Sequence, residues 1–311
     1  VIQTAPENTV RVDHVDGVPM MLIEPSATNL LSYSEDFSNS YWNTASLSVA
    51  VDYGYLSPRG DLTASKVTKQ TANGHLFGDG VAGAKSIYIK GTAGETVNAL
   101  DRHTDANTLI TLTGEWQRVE LDGVNVLFYA VDFRAGTATE VYIWGAQLET
   151  GSVATSYIPT SGSTVQRAAD QLSLSTSVTS SFFSSTDGGT FYAEFIPRDV
   201  LSDQWYLLAG QDYNRRFMYT NDGNARLNAY DGTNTRPYGQ DMVANQLNRA
   251  AFTYTSTTQE GSLDGAITGP ITHNGNYLTT SRLYLSSPAN DKQMNGHLKR
   301  LIYWPTHSDS L

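Results

Sequence analysis

Between Gln204 and Tyr238 the chain interleaves aromatic rings with amide and guanidinium groups. Trp205 and Tyr206 come first, then Asp212, Tyr213, Arg215, Tyr219 and Asn221, then Tyr230, Asn234, Arg236 and Tyr238, on what read as neighbouring strands. A pyranose offers an apolar face that stacks on aromatic rings and hydroxyls that pair with planar polar groups, so this mixture suits a sugar. Taken singly, Trp205, Tyr219 and Tyr230 suit a core or a pleat equally well. As a set, Trp205, Tyr206, Asp212, Arg215, Tyr219, Asn221, Asn234, Arg236 and Tyr238 form the candidate carbohydrate-binding site. Trp42, Trp116 and Trp144 read as core residues, and His75, Arg102 and His103 as candidates for a groove rim.

Bond-breaking chemistry finds less support. Glycoside hydrolysis normally needs two carboxylates, one an acid and one a nucleophile or base. Residues two apart on a strand share a face, but Glu120 and Asp122 lie beside Trp116 where a solvated edge explains them, and Pro197 separates Glu194 from Asp199. A polysaccharide lyase needs a Tyr or His base beside a neutralised substrate carboxylate. Arg102 with His103, or Tyr219 with Arg215 and Arg236, supply those groups, but the sequence does not bring them together. No Cys is present, and none of the six His residues falls in a His-Glu-x-x-His pattern. No catalytic residue and no catalytic metal is therefore assigned.

The elements that must position these residues read as strands. Only 16% of residues are charged, Thr, Ser, Asn, Gly and Tyr are abundant, and 311 residues suffice for two domains, so the composition predicts an all-β chain of two tandem antiparallel β-sandwiches. A net charge of -11 without any basic run argues against nucleic acid. No stretch approaches the ~20 apolar residues of a membrane helix, so no membrane insertion is expected. The chain begins at Val1 rather than Met, as a processed or excised fragment would.

Two stretches read as closing strands, Tyr142 to Glu149 and Asn295 to Pro305. The first is apolar on both faces, as a covered central strand would be; in the second, the apolar pair Leu301 and Ile302 suggests a slip or bulge. Residues 1–25 read as an extended lead-in with a hairpin turn at Asp16-Gly17, padding the first sandwich or joining it to something upstream. Residues 26–160 form the first domain and 161–311 the second, with a Ser, Thr and Gly-rich connector between them.

The run from Thr28 to Phe37 with Trp42, then Ser86–Lys90, Gly114–Arg118, Gly145–Gly151, Ser156–Thr160 and Arg167–Asp170, resembles a module frequent in bacteriophage tail and virion proteins and similar to jelly-roll carbohydrate-binding modules. The strand order from Gly189 to Trp304 resembles the concanavalin A-like lectin/glucanase sandwich, laminin-G-like members included. The Glu-x-Asp-x-x-Glu pattern of glucanases of that fold does not occur here. The first resemblance would allow a structural Ca²⁺ near Glu35 and Asp36, although Gly145 and Ala146 stand where a closing acid would be expected. Together the resemblances imply a phage virion protein, such as a tail fibre, that is extracellular and homotrimeric. It would contact other virion proteins and bind host cell-surface polysaccharide without cleaving it. A glycan depolymerase and a purely structural spacer are the alternatives.

Overall fold

The computed structural model describes residues 9–50, 55–104, 109–183, 188–201, 204–210, 215–221, 223–273, 280–287 and 292–308. Nearly all the regular structure of the described chain is strand, in antiparallel sheets stacked as β-sandwiches. Its one helix among those residues, Thr176–Phe182, is capped by Ser175, whose side chain accepts the Val178 N–H at 3.3 Å. The chain divides into two compact units, Ala27–Arg167 and a second formed from Ala168 onward together with the lead-in up to Ser26.

Within the Ala27–Arg167 unit, one five-stranded sheet runs in the order Leu109–Thr111, Thr96–Leu100, Leu127–Gly136, His75–Asp79, Asn43–Ala45. The other runs Gln117–Gly123, Gly83–Lys90, Glu140–Glu149, Ser65–Lys69, Leu47–Ala50. Alternation sends Ile87, Ile89, Val141 and Ile143 from one sheet into the same core as Leu76, Phe128 and Val131 from the other. Glu140–Glu149 is central, and Trp144, pointing away from that core, is fully covered; Arg59 lies over its ring at 5.1 Å and Tyr157 packs beside it.

One ion pair among the described residues of this unit is wholly enclosed. Lys85 and Asp101 are both fully buried; the Lys85 ammonium donates to Asp101 Oδ1 at 2.5 Å and to the carbonyls of Asn125 and Leu127 at 3.0 and 2.8 Å. Room for it comes from Gly123, where a β-carbon would stand 2.8 Å from the Lys85 stem. The preceding Leu100 holds φ at +74°, a costly conformation for a branched side chain, which indicates that the packing around Asp101 fixes the backbone there.

The second unit pairs an eight-stranded sheet with a six-stranded one, counted among the described residues. The larger sheet orders Val12–Val15, Val18–Ile23, Gly296–Trp304, Gly189–Pro197, Asn248–Tyr254, Thr258–Leu263 and Ala266–Ile267, with Ile271–Thr272 also on Thr258–Leu263. The smaller orders Ser173–Leu174, Leu283–Tyr284, Tyr206–Ala209, Arg216–Thr220, Arg226–Tyr230 and Thr235–Asp241. Phe191, Ala193, Phe195, Phe252 and Tyr254 of the first meet Leu207, Phe217, Met218 and Leu227 of the second in one core.

Two expectations shift. The hairpin turning at Asp16-Gly17, both at positive φ, does not pad the first sandwich: Met21, Leu22 and Ile23 pair with Leu298, His297 and Gly296. Ile23 is fully buried in the second core, and Arg11 bonds both Glu24 and Asp170, so the lead-in is held by apolar burial and charge together. The bulge in the last strand also lies elsewhere. Leu301 and Ile302 pair normally with Ala193 and Tyr192, and the register slips between Glu194 and Phe195, leaving Lys299 as the extra residue.

Replacing Lys85 by Met leaves Asp101 buried without its partner. Loss of one member of a buried pair costs about 3–5 kcal/mol, and chemical denaturation of Lys85→Met should show a loss of that order, with the double variant Lys85→Met/Asp101→Asn recovering part of it.

Candidate functional site

The structure splits the candidate set between the two faces of the six-stranded sheet. Trp205 and Tyr238 are core residues, 4% and 1% exposed; Trp205 packs on Phe195 and the Tyr238 hydroxyl donates to the Phe217 carbonyl at 2.5 Å. Neither ring can stack on a ligand from solvent. Tyr206, next to Trp205, points the other way as the period of two requires, and shares the outer face with Tyr219 and Tyr230, the first two also buried.

Over these three rings lies Arg216, at 5.4, 5.1 and 4.7 Å from Tyr206, Tyr219 and Tyr230. The strand register shifts between Arg216 and Tyr219, so residues three apart share a face. Strict alternation selects Arg215 instead, whose carbonyl accepts the Gly210 N–H at 2.6 Å.

Asn221 accepts from the Gln204 amide at 3.3 Å, and Gln204 in turn accepts from the Tyr206 hydroxyl and Lys292. Asn234 sits in a turn capped by Asp231, which accepts its N–H at 2.7 Å. Arg236 turns toward a narrow gap beside Pro237, Tyr238, Gln259 and Gly261. Asp212 and Tyr213 lie outside the described residues. In this unit, then, the predicted set supplies a polar strip with its rings largely covered.

In the other unit His75 and His103 do meet one face. His75 pairs in register with Asp132 and stacks on Phe77, while His103 Nδ1 lies 3.1 Å from the Asp132 carboxylate. Arg102 is exposed.

A groove of about 650 Å³ lies elsewhere, on the outer face of the eight-stranded sheet. Its floor is built by alternation: Thr190 and Tyr192 from Gly189–Pro197, Arg249 and Ala251 from Asn248–Tyr254, with Asp264 at a hairpin turn and Trp304 at one end. Trp304 is 45% exposed, the one tryptophan with an open ring face among the exposed large apolar side chains. It stands out there because Tyr303, one residue earlier, has taken the inward position against Phe191. Asp264, at φ +48°, opens the Asp264-Gly265 turn, and its carboxylate accepts the Arg249 N–H at 2.9 Å. The sequence reading missed this groove. The signal was the outward phase of Trp304 in a strand whose inward phase was already filled.

The groove holds a tyrosine and an arginine, which are lyase ingredients, but their state does not suit base catalysis. The Tyr192 hydroxyl donates to Glu194 at 3.0 Å; desolvation, then that carboxylate, push its pKa above the ordinary phenol value. A phenol held protonated is a weak proton acceptor near neutrality. Glu194 is itself pinned ionised: the hydrogen bond from Lys299 is the largest effect lowering its pKa. Asp264 is the only carboxylate among the described lining residues, one short of the pair hydrolysis requires.

At the corner considered for calcium, Arg59 is shared between Glu35 and Asp61. Glu35 accepts from Arg59 at 3.1 Å and from the Tyr157 hydroxyl at 2.9 Å, and Asp36 accepts from both the N–H and the hydroxyl of Ser38. A cation at Glu35 would compete with the Arg59 guanidinium. Among the described residues no group of three His, Asp or Glu is placed to hold a metal.

No family model and no curated protein matches the chain. Among solved structures it is similar to a putative carbohydrate binding protein from Bacteroides ovatus, at 10% identity over 90% of this chain and 82% of that one, TM-score 0.36. It is also similar to domains LG4-5 of the mouse laminin alpha1 chain, at 9% identity over 96% and 93%, TM-score 0.33. A SAP-like pentraxin from Limulus polyphemus aligns at 10% identity over 40% of this chain, TM-score 0.32, and the chain spans 66% of its length. At scores this low the likenesses decide nothing about ligand or chemistry.

Trp205 and Trp304 should separate cleanly in denaturation. Truncating a core aromatic costs about 3–5 kcal/mol, whereas an exposed substitution stays within about 0.5 kcal/mol. Urea titration should therefore find Trp205→Ala strongly destabilised and Trp304→Ala close to wild type.

Proposed function

We propose that this chain is a non-catalytic glycan-binding protein and that the sugar lies in the groove beneath Trp304. The exposed indole carries the reading. It offers a stacking face at the end of a groove whose floor holds Tyr192 and Arg249, with Asp264 at the turn beside them, an apolar platform edged by donors and an acceptor. From Thr190, opposite Trp304, to Glu194 there are four residue steps of strand, roughly 13 Å at ~3.3 Å each. That length suits an oligosaccharide better than a single ring.

On the sequence resemblance, the setting is a phage virion appendage such as a tail fibre, outside the cell, with host surface polysaccharide as ligand and other virion proteins as neighbours. Open grooves of this kind bind weakly one at a time. A homotrimer would present three, and linked sites gain avidity by raising effective concentration. A depolymerase would share the surface but not the chemistry, since Tyr192 is held as the neutral phenol and one carboxylate stands alone in the described lining.

On an array of bacterial surface polysaccharides, the wild-type protein should bind at least one glycan without releasing products on chromatography. Trp304→Ala should reduce that signal at least tenfold with the melting temperature unchanged. Retained binding in folded Trp304→Ala would remove the groove from the account; released oligosaccharides would replace binding by cleavage; and an array without signal would leave the spacer role.

A further inference from the structure

On the outer face that carries the groove, positive charge clusters around Glu194. The slip between Glu194 and Phe195 leaves Lys299 as an extra residue. A regular strand would send Lys299 and Arg300 to opposite faces; with the bulge, both reach the same carboxylate, at 2.9 and 3.8 Å from Glu194. On the other side of Glu194, Arg249 is its register partner in Asn248–Tyr254. Three cations thus surround one carboxylate, a local excess of two at Glu194, which Asp264 and Glu260, opposite Thr253, offset across the wider face. The whole chain carries a net charge of -11.

Arg249 is the cation best placed for a ligand. It lines the groove, is exposed, and among the described residues its guanidinium enters no hydrogen bond or ion pair; only its backbone N–H is engaged, by Asp264. Lys299 and Arg300 hold Glu194, so that acid does not compete fully for Arg249. A planar guanidinium presents two parallel N–H groups that match both oxygens of a carboxylate.

We infer that the groove selects acidic glycans, with a sugar carboxylate, as in a uronic or sialic acid, seated on Arg249 while a neighbouring ring stacks on Trp304. This rests on the glycan-binding reading and adds the charge class. An overall acidic protein repels a polyanion at long range, so a focused cationic face is what such a ligand requires. Residue spacing agrees: Arg249 faces Glu194, and Trp304 lies opposite Thr190, at the two ends of the same four-step span.

The test prints acidic and neutral bacterial polysaccharides side by side, each acidic member also in its carboxyl-reduced form. Wild-type signal should fall on the acidic members, drop at least tenfold on their reduced forms, and weaken steadily as salt rises. Arg249→Gln should lose at least tenfold on the acidic members, with Arg249→Lys retaining part of it, and both should melt as wild type does. Equal signal on acidic and carboxyl-reduced forms, or an unchanged Arg249→Gln, would overturn the charge selection while leaving glycan binding in place. Absence of signal on every member would overturn both.

Discussion

The second unit depends on the register of Gly296–Trp304 against Gly189–Pro197. That pairing sends Leu298, Leu301 and Tyr303 toward the core and leaves Ile302 and Trp304 on the outer face. It also gives the lead-in hairpin its partner, since Met21 to Ile23 add onto the other edge of the same strand. A slip of one residue would reverse every side chain. Apolar burial on the inner face therefore fixes what the outer face can present. The groove is the reverse side of a core decision, and the bulge adds Lys299 to the cations already paired across from Glu194.

Charge is handled differently in the two units. In Ala27–Arg167 the ion pair of Lys85 and Asp101 is sealed, with two carbonyls completing the ammonium's shell, and its role is internal. In the second unit Glu194 sits near the surface among Lys299, Arg300 and Arg249, with positive charge left over. Sealed pairs specify a fold; surplus charge beside an exposed aromatic ring provides for a ligand. Arg216 over its three tyrosines lies between these cases, since it caps a face whose rings are already covered.

Much of the fold was legible because strand periodicity is a local signal. Gly189–Pro197 reads as a strand from Phe191, Ala193 and Phe195, and the doubled apolar phase of Glu140–Glu149 marks a central strand correctly. The candidate site was harder to read because its geometry depends on which of two faces is covered. Trp205 and Tyr238 look like sugar platforms in one dimension and are core residues in three. Bulges compound this: at Arg216 and at Lys299 the alternation breaks, and nothing in the local residue types marks the place. The outward phase of Trp304 becomes decisive once Tyr303 is known to fill the inside.

The five tryptophans offer a direct test of where a glycan lies. In protein labelled with 5-fluorotryptophan, each gives its own fluorine resonance, assigned by single Trp→Phe variants, and titration with acidic bacterial polysaccharides reads all five environments at once. The account predicts that the Trp304 resonance moves progressively with ligand while those of the buried Trp42, Trp144 and Trp205 stay fixed. A stationary Trp304 signal while Trp205 or another tryptophan shifts, or five stationary signals with every polysaccharide tried, would contradict it.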